Sequence, residues 1–341
     1  IGSGPFKFDY QTGEREVGLV AYDGYYGGRP SLDRVVFYYR PNSEDSWTRL
    51  LSGKTDVVYR LNPKDFEILG RYRDRFRFDA KVPDSYMILL FNTADALFSD
   101  PDVRLALACA VDRERIINTV FHGFATLAVG PAGVNSPYHN PALRPVPYDP
   151  ERAMELLHRA GWTRNTRDQL LYRNGQCFEF TALIFKGNLI DRRIAEDLQL
   201  FLSEVGIKMH LQSLPVEELV ERYCRNNQFQ AVLTELSSSP RIIDRLVELW
   251  KPAGGKGSAA GLFHHPEVSR LLNEAVATED PHRRKKCFQE ADALIASLQP
   301  GIFLFHKGRL NVMSKRLQLP FPFSFDHAGI YRLKNAFVPG R

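Results

Sequence analysis

Apolar and polar positions alternate with a period of two over much of the first 91 residues. Valine, tyrosine and phenylalanine are frequent in these stretches, and glycine, proline and aspartate separate them. Residues of the first kind are enriched in strands, and those of the second kind in turns. The pattern predicts strands in the opening segment "IGSGPFKF" and then in "REVGLVAY", "DRVVFYYR", "DVVYRL", "FRFDAKV" and "YMILLFN".

From residue 99 the apolar positions take helical spacing. Asp100, Asp112 and Asp149 each stand at the start of such a segment, and proline follows the first and the third of them. Aspartate is a good N-cap, and proline is favoured at the first helical position. We therefore predict helices in "SDPDVRLALACAV", "DRERIINTVFHG" and "DPERAMELLHRAG".

Strand and helix patterns then alternate between residues 177 and 250, and two more helical segments and two strands follow. This alternation is typical of parallel βαβ units, so the fold class is α/β. The simplest arrangement is two lobes, with the second inserted into the first. We predict lobe I over residues 1–91, an inserted lobe II over 92–298 and a return to lobe I over 299–341. The crossings would lie near residues 88–93 and 299–307.

Composition narrows the function only slightly. The chain has 341 residues, and its 45 basic and 40 acidic side chains leave a formal charge of +5. This small excess gives no reason to expect a nucleic-acid partner. No apolar stretch approaches the roughly 20 residues that span a bilayer. The four cysteines lie far apart and form no CxxC pair, so they do not indicate a zinc site.

None of the catalytic sequence motifs that we considered is complete in this chain. The segment "GGKGS" at residues 254–258 lacks the Ser/Thr that a P-loop needs after its lysine. His264 and His265 form the only histidine cluster, and a loop before a helix is the simpler interpretation. There is no HExxH and no GxSxG motif. We expect no enzyme activity, no cofactor and no bound metal.

Seven segments, in order, carry a resemblance to a known family. They are "GSGPFKF", "AYDGYYGGRPSLDRVVF", "LLSGKTDVV", "LLFNTADALFSDPDVRLALACAVDRERII", "YDPERAMELLHRAGW", "IAEDLQLFLSEVGIKMHLQ" and "PEVSRLLNEAVATEDPHRRKKCFQEADALIA". Each is weak alone, but the ordered set resembles the family 5 extracellular solute-binding proteins of ABC importers, the dipeptide, oligopeptide and nickel group.

The resemblance implies a periplasmic-binding-protein fold of type II, with two α/β lobes joined by a hinge. It also implies a ligand in the inter-lobe cleft, delivery to the permease subunits of a membrane importer, a periplasmic or extracellular location, and no catalysis. In that family "GSGPF" lies inside the mature chain. We therefore expect this chain to be a fragment that lacks upstream parts of lobe I.

The candidate ligand residues also come from the resemblance. Peptide-binding members use an aspartate after the strand that corresponds to "FQAVLTEL", but here Ser239 falls at about that place. Glu235, at the strand end, is the candidate replacement as the partner of a peptide amine, while Ser237, Ser238 and Ser239 can instead simply form a turn.

Two further candidates lie elsewhere. Lys186 follows the preceding strand and is the best-placed partner for a ligand carboxylate, while Arg192 and Arg193 fit the next helix better. Asn92 belongs to the F-N-T segment. The prediction is a binding protein for a peptide or another small polar solute. The alternative from another class is the ligand-sensing domain of a regulator.

Overall fold

The structure is a computed structural model and describes residues 3–39, 43–237, 247, 250, 263, 265–318 and 335–338. The chain divides into two compact units. The first consists of residues 1–81 and 309–341, and the second of residues 82–308. The predicted helix in "PRIIDRLVELW" and the glycine-rich segment 254–258 lie almost wholly outside the described residues.

The first unit contains two antiparallel sheets of three strands. One has the order β1 (Phe6–Thr12), β2 (Glu16–Ala21) and β3 (Arg34–Tyr38). The other has β15 (Arg309–Ser314) between β4 (Val57–Val58) and β5 (Phe76–Lys81). Helices α1 (Ser43–Leu51) and α2 (Pro63–Leu69) and a short 3₁₀ turn (Gly70–Tyr72) complete the elements described in this unit. The strands predicted in "REVGLVAY", "DRVVFYYR" and "FRFDAKV" are confirmed.

A six-stranded mixed sheet forms the centre of the second unit. Its order is β12 (Lys208–Leu214), β11 (Glu179–Phe185), β13 (Ala231–Ser237), β6 (Ser85–Phe91), β14 (Gly301–Lys307) and β7 (Ala125–Leu127). β11 pairs in parallel with β12 and β13, which confirms the βαβ prediction. The other three pairings are antiparallel.

Strand β6 shows why the sheet is covered on both faces. Met87, Leu89 and Phe91 belong to one apolar core, while the alternate residues Tyr86, Ile88 and Leu90 belong to a second core. Because successive side chains of a strand point to opposite faces, an uninterrupted apolar run requires packing on both sides. The "YMILLF" run is therefore explained by its central place in the sheet.

Helices flank this sheet, and several begin at the predicted aspartates. The side chains of Asp100, Asp112 and Asp149 accept hydrogen bonds from the first-turn amides of their helices. The helices of the second unit whose ends the structure describes are α3 (Pro101–Cys109), α4 (Arg113–Phe121), α5 (Pro150–Arg159), α6 (Leu189–Glu204), α7 (Val216–Val220), α8 (Pro266–Ala277) and α9 (Pro281–Leu298), with a short π-helix at Glu221–Arg225. Strands β8 (Thr163–Arg164), β9 (Leu171–Arg173) and β10 (Gln176–Cys177) form a small separate sheet that the sequence pattern did not predict.

A buried arginine ties α3 to the end of α9. The guanidinium of Arg104 donates to the carbonyl oxygens of Leu298 and Gln299 and, on the other side, to those of Phe98 and Ser99. Burial lowers the pKa of this guanidinium. Four backbone acceptors therefore depend on one side chain, which lies in the "DVRLALACAV" segment that carries the resemblance.

The unit boundaries differ from the predicted lobe boundaries. The prediction placed the crossings near residues 88–93 and 299–307, but the compact units meet at residues 81/82 and 308/309. The physical reason is that β6 and β14 pair with each other and lie inside the sheet of the second unit. The second unit is therefore longer at each end than the predicted lobe II.

Candidate functional site

The carboxyl ends of β11, β13 and β14 and the amino end of β6 lie at one edge of the six-stranded sheet. We call it the carboxyl edge. Three of the predicted site residues, Lys186, Glu235 and Ser237, stand at this edge because each ends or follows one of the parallel strands. Ligands of open α/β sheets commonly bind outside the carboxyl ends of parallel strands.

Lys186 occupies the tight connection from β11 to α6. Its backbone amide donates to the carbonyl of Leu214, Gly187 follows with φ +121°, and Asn188 caps α6 through the amides of Ile190 and Asp191. The Lys186 side chain is exposed. In the register of β11 and β13, Leu183 lies beside Val232, and Lys186 and Glu235 each follow this last pair by three residues along the chain. The connection therefore holds the backbone of Lys186 rigidly while its ammonium points to solvent.

Glu235 lies within a group of charged side chains that we call the carboxyl-edge cluster: Asp191, Glu235 and Lys307. The Lys307 ammonium lies 2.9 Å from Glu235 Oε2 and 3.4 Å from Asp191 Oδ1. The hydroxyl of Ser85 donates to Glu235 Oε1 at 2.5 Å. One ammonium thus faces two carboxylates, and the cluster carries a formal charge of −1 when all three groups are ionised.

Burial and charge oppose each other within this cluster. Burial lowers the pKa of Lys307, but its attraction to Glu235 and Asp191 outweighs this effect, so the pKa lies above its usual value. For Asp191, burial raises the pKa and the Lys307 ammonium opposes this only in part, so the net shift is upward. Because the pKa of Lys307 is raised, its ammonium stays charged. Because the pKa of Asp191 is also raised, Asp191 takes up a proton more readily than an ordinary aspartate does.

Ser237 and His306 complete the described part of the edge. The Ser237 hydroxyl donates to the carbonyl of Asp84 at 3.4 Å, and His306 Nδ1 lies 2.8 Å from the carbonyl of Ser85. Burial lowers the pKa of His306. Ser238 and Ser239, the other predicted site residues, lie outside the described residues.

Asn92 is not brought together with the other candidates. Its backbone amide donates to the carbonyl of Gln230, and its side-chain amide donates to the carbonyl of Phe229. These contacts lie at the amino end of β13, roughly 15 Å from Glu235 along an extended strand. The side-chain oxygen accepts from the Ala94 amide. Asn92 therefore stabilises the turn after β6, and we do not carry it into the proposed site.

The sequence reasoning missed Lys307, Asp191 and Ser85. Lys307 directly follows a buried apolar run, and this position could have marked it as a candidate in the sequence. A lysine beside a buried strand is almost never fully buried unless it forms an ion pair. Its partners could not be read from the sequence, since they depend on β14 and β13 both pairing with β6. Within the described residues, no three histidine, cysteine, aspartate or glutamate side chains gather in an arrangement that could hold a metal ion.

Comparison with known proteins agrees with the resemblance seen in the sequence. The family model of "Bacterial extracellular solute-binding proteins, family 5 Middle" matches residues 1–257. Among curated relatives, the oligopeptide-binding protein AppA of Bacillus subtilis is 28% identical over 324 residues, which are 93% of this chain and 59% of that protein. The heme-binding protein A of Haemophilus influenzae is 27% identical, over 96% of this chain and 58% of that protein. This chain thus spans about three fifths of the relatives it matches.

Solved structures give the same fold. The structure of AppA from Bacillus subtilis in complex with a nonapeptide has a TM-score of 0.80 at 25% identity, over 99% of this chain and 66% of that one. The structure of NikA from Brucella suis in complex with Fe(III)-EDTA has a TM-score of 0.87 at 20% identity, over 99% of this chain and 68% of that one. The fold is therefore that of the type II periplasmic binding proteins, as expected. No helix in the described ranges is long and apolar enough to cross a bilayer.

Proposed function

Because the chain belongs to the bacterial extracellular solute-binding proteins of family 5, we propose that it captures a peptide or another small polar solute outside the cytoplasmic membrane and delivers it to the permease of an ABC importer. The observation that carries this proposal is the family match over residues 1–257. The names of the relatives include oligopeptide, dipeptide, heme and nickel binding, so the family alone does not fix the solute.

The carboxyl edge supports a solute with a positively charged amine. The carboxyl-edge cluster has one more carboxylate than ammonium, and 42% of the Glu235 side chain is exposed. A charged amine that loses water needs an opposite charge, because an unpaired charge is costly to desolvate. We propose Glu235 as this partner, with Ser237 as a hydroxyl neighbour; Ser238 and Ser239 were also predicted from the sequence and lie outside the described residues.

Lys186 supports recognition of the opposite end of a peptide. Its side chain is exposed, its backbone amide is held by the carbonyl of Leu214, and it lies at the same edge of the sheet as Glu235. A lysine binds a carboxylate as a point charge with three donors. We propose that Lys186 meets the carboxylate of a short peptide, or another acidic group of the solute.

The amine proposal predicts a charge-specific loss of affinity. We expect Glu235→Gln in the full-length protein to weaken binding of a peptide with a free amino terminus by about tenfold or more, because a charge-assisted hydrogen bond is lost. Isothermal titration calorimetry with a peptide library identifies a binding peptide and then measures the variant. The same peptide, acetylated at its amino terminus, should bind the wild type and the variant equally.

Glu179→Gln is the matched control. Glu179 is also a strand carboxylate beside a lysine, Lys208, but it begins β11 at the other end of the strand. It should leave peptide affinity unchanged. Equal binding of free and acetylated peptide by the wild type would contradict the role of Glu235. Absence of binding to any peptide, with tight binding of a sugar or a metal chelate, would contradict the peptide class itself.

The regulator alternative finds no support in the relatives. The names of the curated relatives compared above are those of binding proteins, and the family description is that of extracellular solute-binding proteins. No observation on the described residues favours a regulatory domain over a transport component, so transport is the function we propose.

A further inference from the structure

A concave site lies on the second unit, away from the carboxyl edge. It is an open groove of about 450 Å³ bounded by β11, β12, the π-helix and the loop before β13. Gln230, on its wall, precedes Glu235 by five residues along β13, which corresponds to roughly 16 Å. The groove therefore does not depend on the function proposed above.

Arg222 is the charged group of this groove. One of its terminal nitrogens donates to Gln212 Oε1 at 3.0 Å. The neighbouring carboxylate, Glu221, is engaged by Arg225 at 2.9 Å and by Asn226 at 3.0 Å. Within the described part of the chain, no carboxylate pairs with Arg222. A guanidinium has five N–H donors, so most of those of Arg222 are available to a ligand.

The amides around Arg222 add donors rather than negative charge. Gln212 uses its oxygen to accept from Arg222, which leaves its NH₂ group to donate elsewhere. Asn227 and Gln228 line the rim. Leu183 and Phe229 lie at the floor of the groove, but both are almost fully buried, so the apolar surface that they offer is small. The groove thus combines one unpaired cation, several amide donors and a small apolar surface.

The backbone around the groove is fixed by specific hydrogen bonds. The Asn226 amide donates to the carbonyl of Glu221, five residues earlier, and the Gln228 amide donates to the carbonyl of Arg222. Asn227 takes the left-handed conformation, with φ +55°. Gln230 anchors the far wall, because its side-chain oxygen accepts from the Thr181 amide. Single π-helical turns of this kind are frequent at functional sites.

We propose that this groove binds a small organic carboxylate. The two carboxylate oxygens would accept a forked pair of hydrogen bonds from Arg222, since arginine matches a carboxylate with two parallel donors. The side-chain NH₂ groups of Gln212 and Gln228 would donate to the remaining lone pairs of the same two oxygens. The carbon chain of the ligand would lie along the small apolar surface of the groove. The apolar floor favours an organic anion over an inorganic one, which could not use that surface.

Titration of the full chain with succinate tests this proposal. We expect saturable binding by calorimetry, with NMR shift changes at Thr181, Gln212 and Gln228. Arg222→Gln should lower succinate affinity by about tenfold or more, the usual effect of losing a charge-assisted hydrogen bond. Arg225→Gln is the matched control, because it removes the same charge from the same π-helix outside the groove and should leave affinity unchanged.

Any one of the following results would overturn the proposal. They are no saturable succinate binding, equal affinity for succinate and its uncharged analogue succinamide, and inorganic phosphate binding as tightly as succinate. An equal loss in the Arg222 and Arg225 variants would also overturn it, since that would reflect general charge. If Arg222→Gln does not fold, Gln228→Leu tests the rim donor in the same way, and unchanged succinate affinity in that variant contradicts the proposal.

Discussion

Asp292 of α9 is a buried carboxyl group whose partners are backbone amides. It accepts from the Ala132 amide at 2.9 Å and from the Asn140 amide at 3.3 Å. Burial raises its pKa to about 7, and the two backbone hydrogen bonds oppose this only in part. The loop before α5 is thereby attached to a helix more than a hundred residues later in the sequence.

The raised pKa of Asp292 predicts a pH dependence of stability. The folded state holds this proton up to about pH 7, whereas an unfolded aspartate loses it near pH 4. The contribution of Asp292 is thus fully present at low pH and is lost as the pH rises through 7, at up to about 1.4 kcal/mol per unit. We expect the free energy of unfolding of Asp292→Asn, relative to wild type, to rise between pH 5 and pH 8 in urea denaturation.

The control is Asp280→Asn in the same helix. Asp280 is the N-cap of α9, and its side chain is exposed, unlike that of Asp292. Asparagine caps a helix about as well as aspartate, so the substitution keeps the cap. Its difference from wild type should not change with pH in this range. If the free energies of unfolding of wild type and Asp292→Asn changed in parallel between pH 5 and pH 8, Asp292 would be ionised throughout this range, contrary to our expectation.

At the scale of single elements, Gly301 sets how closely β14 can approach β6. A Cβ atom at this position would lie 2.6 Å from the Leu89 carbonyl oxygen and 2.8 Å from Leu90 Cα. Both are backbone atoms of β6, so neither can move aside as a flexible side chain would. The first residue of β14 therefore has to be glycine for the two strands to pair as they do.

We predict that Gly301→Ala destabilises the protein by about 1–3 kcal/mol, the usual cost of overpacking. Urea denaturation measures the change. The matched control is Gly70→Ala, since Gly70 has helical φ −54° and a Cβ there would meet nothing within 4 Å. It should be neutral or slightly stabilising, because alanine is the better helix former. If Gly301→Ala left the free energy of unfolding unchanged, β14 would be able to shift away from β6 without loss of stability, which would contradict the prediction.

Local pattern was sufficient for most elements of this fold and insufficient for their arrangement. The caps at Asp100, Asp112 and Asp149 were predictable because a cap and its amide lie within a few residues. The pairing of β6 with β14 was not, because its partners are about two hundred residues apart. The predicted site shows the same division: Glu235 and Ser237 follow from strand ends, whereas Lys307 and Asp191 require the sheet order.

At the scale of the whole molecule, the second unit has a sheet and two apolar cores of its own. All six strands of its sheet and both flanking cores come from residues 82–308. We predict that a protein of residues 82–308 folds on its own, with a single cooperative transition in denaturant followed by circular dichroism. A domain with its own core and sheet can do so in general.

The matched control is a protein of residues 92–298, the lobe II boundaries predicted from the sequence. It lacks β6 and β14, so β13 loses one of its two neighbours, β7 loses the strand that it pairs with, and a sheet edge is exposed inside the core. Such open edges favour aggregation. We expect this shorter protein to be insoluble or molten. Cooperative unfolding of the shorter protein, or its absence in the longer one, would contradict the boundaries at residues 81/82 and 308/309.

The place of β15 has a consequence for synthesis on the ribosome. β15 joins β4 to β5 in the first unit, but it is made only after the whole second unit. Domains commonly fold as units while the chain is still being made. This sheet of the first unit must therefore wait, with β4 and β5 unpaired by β15, until Ser314 has been added to the chain and β15 has left the exit tunnel.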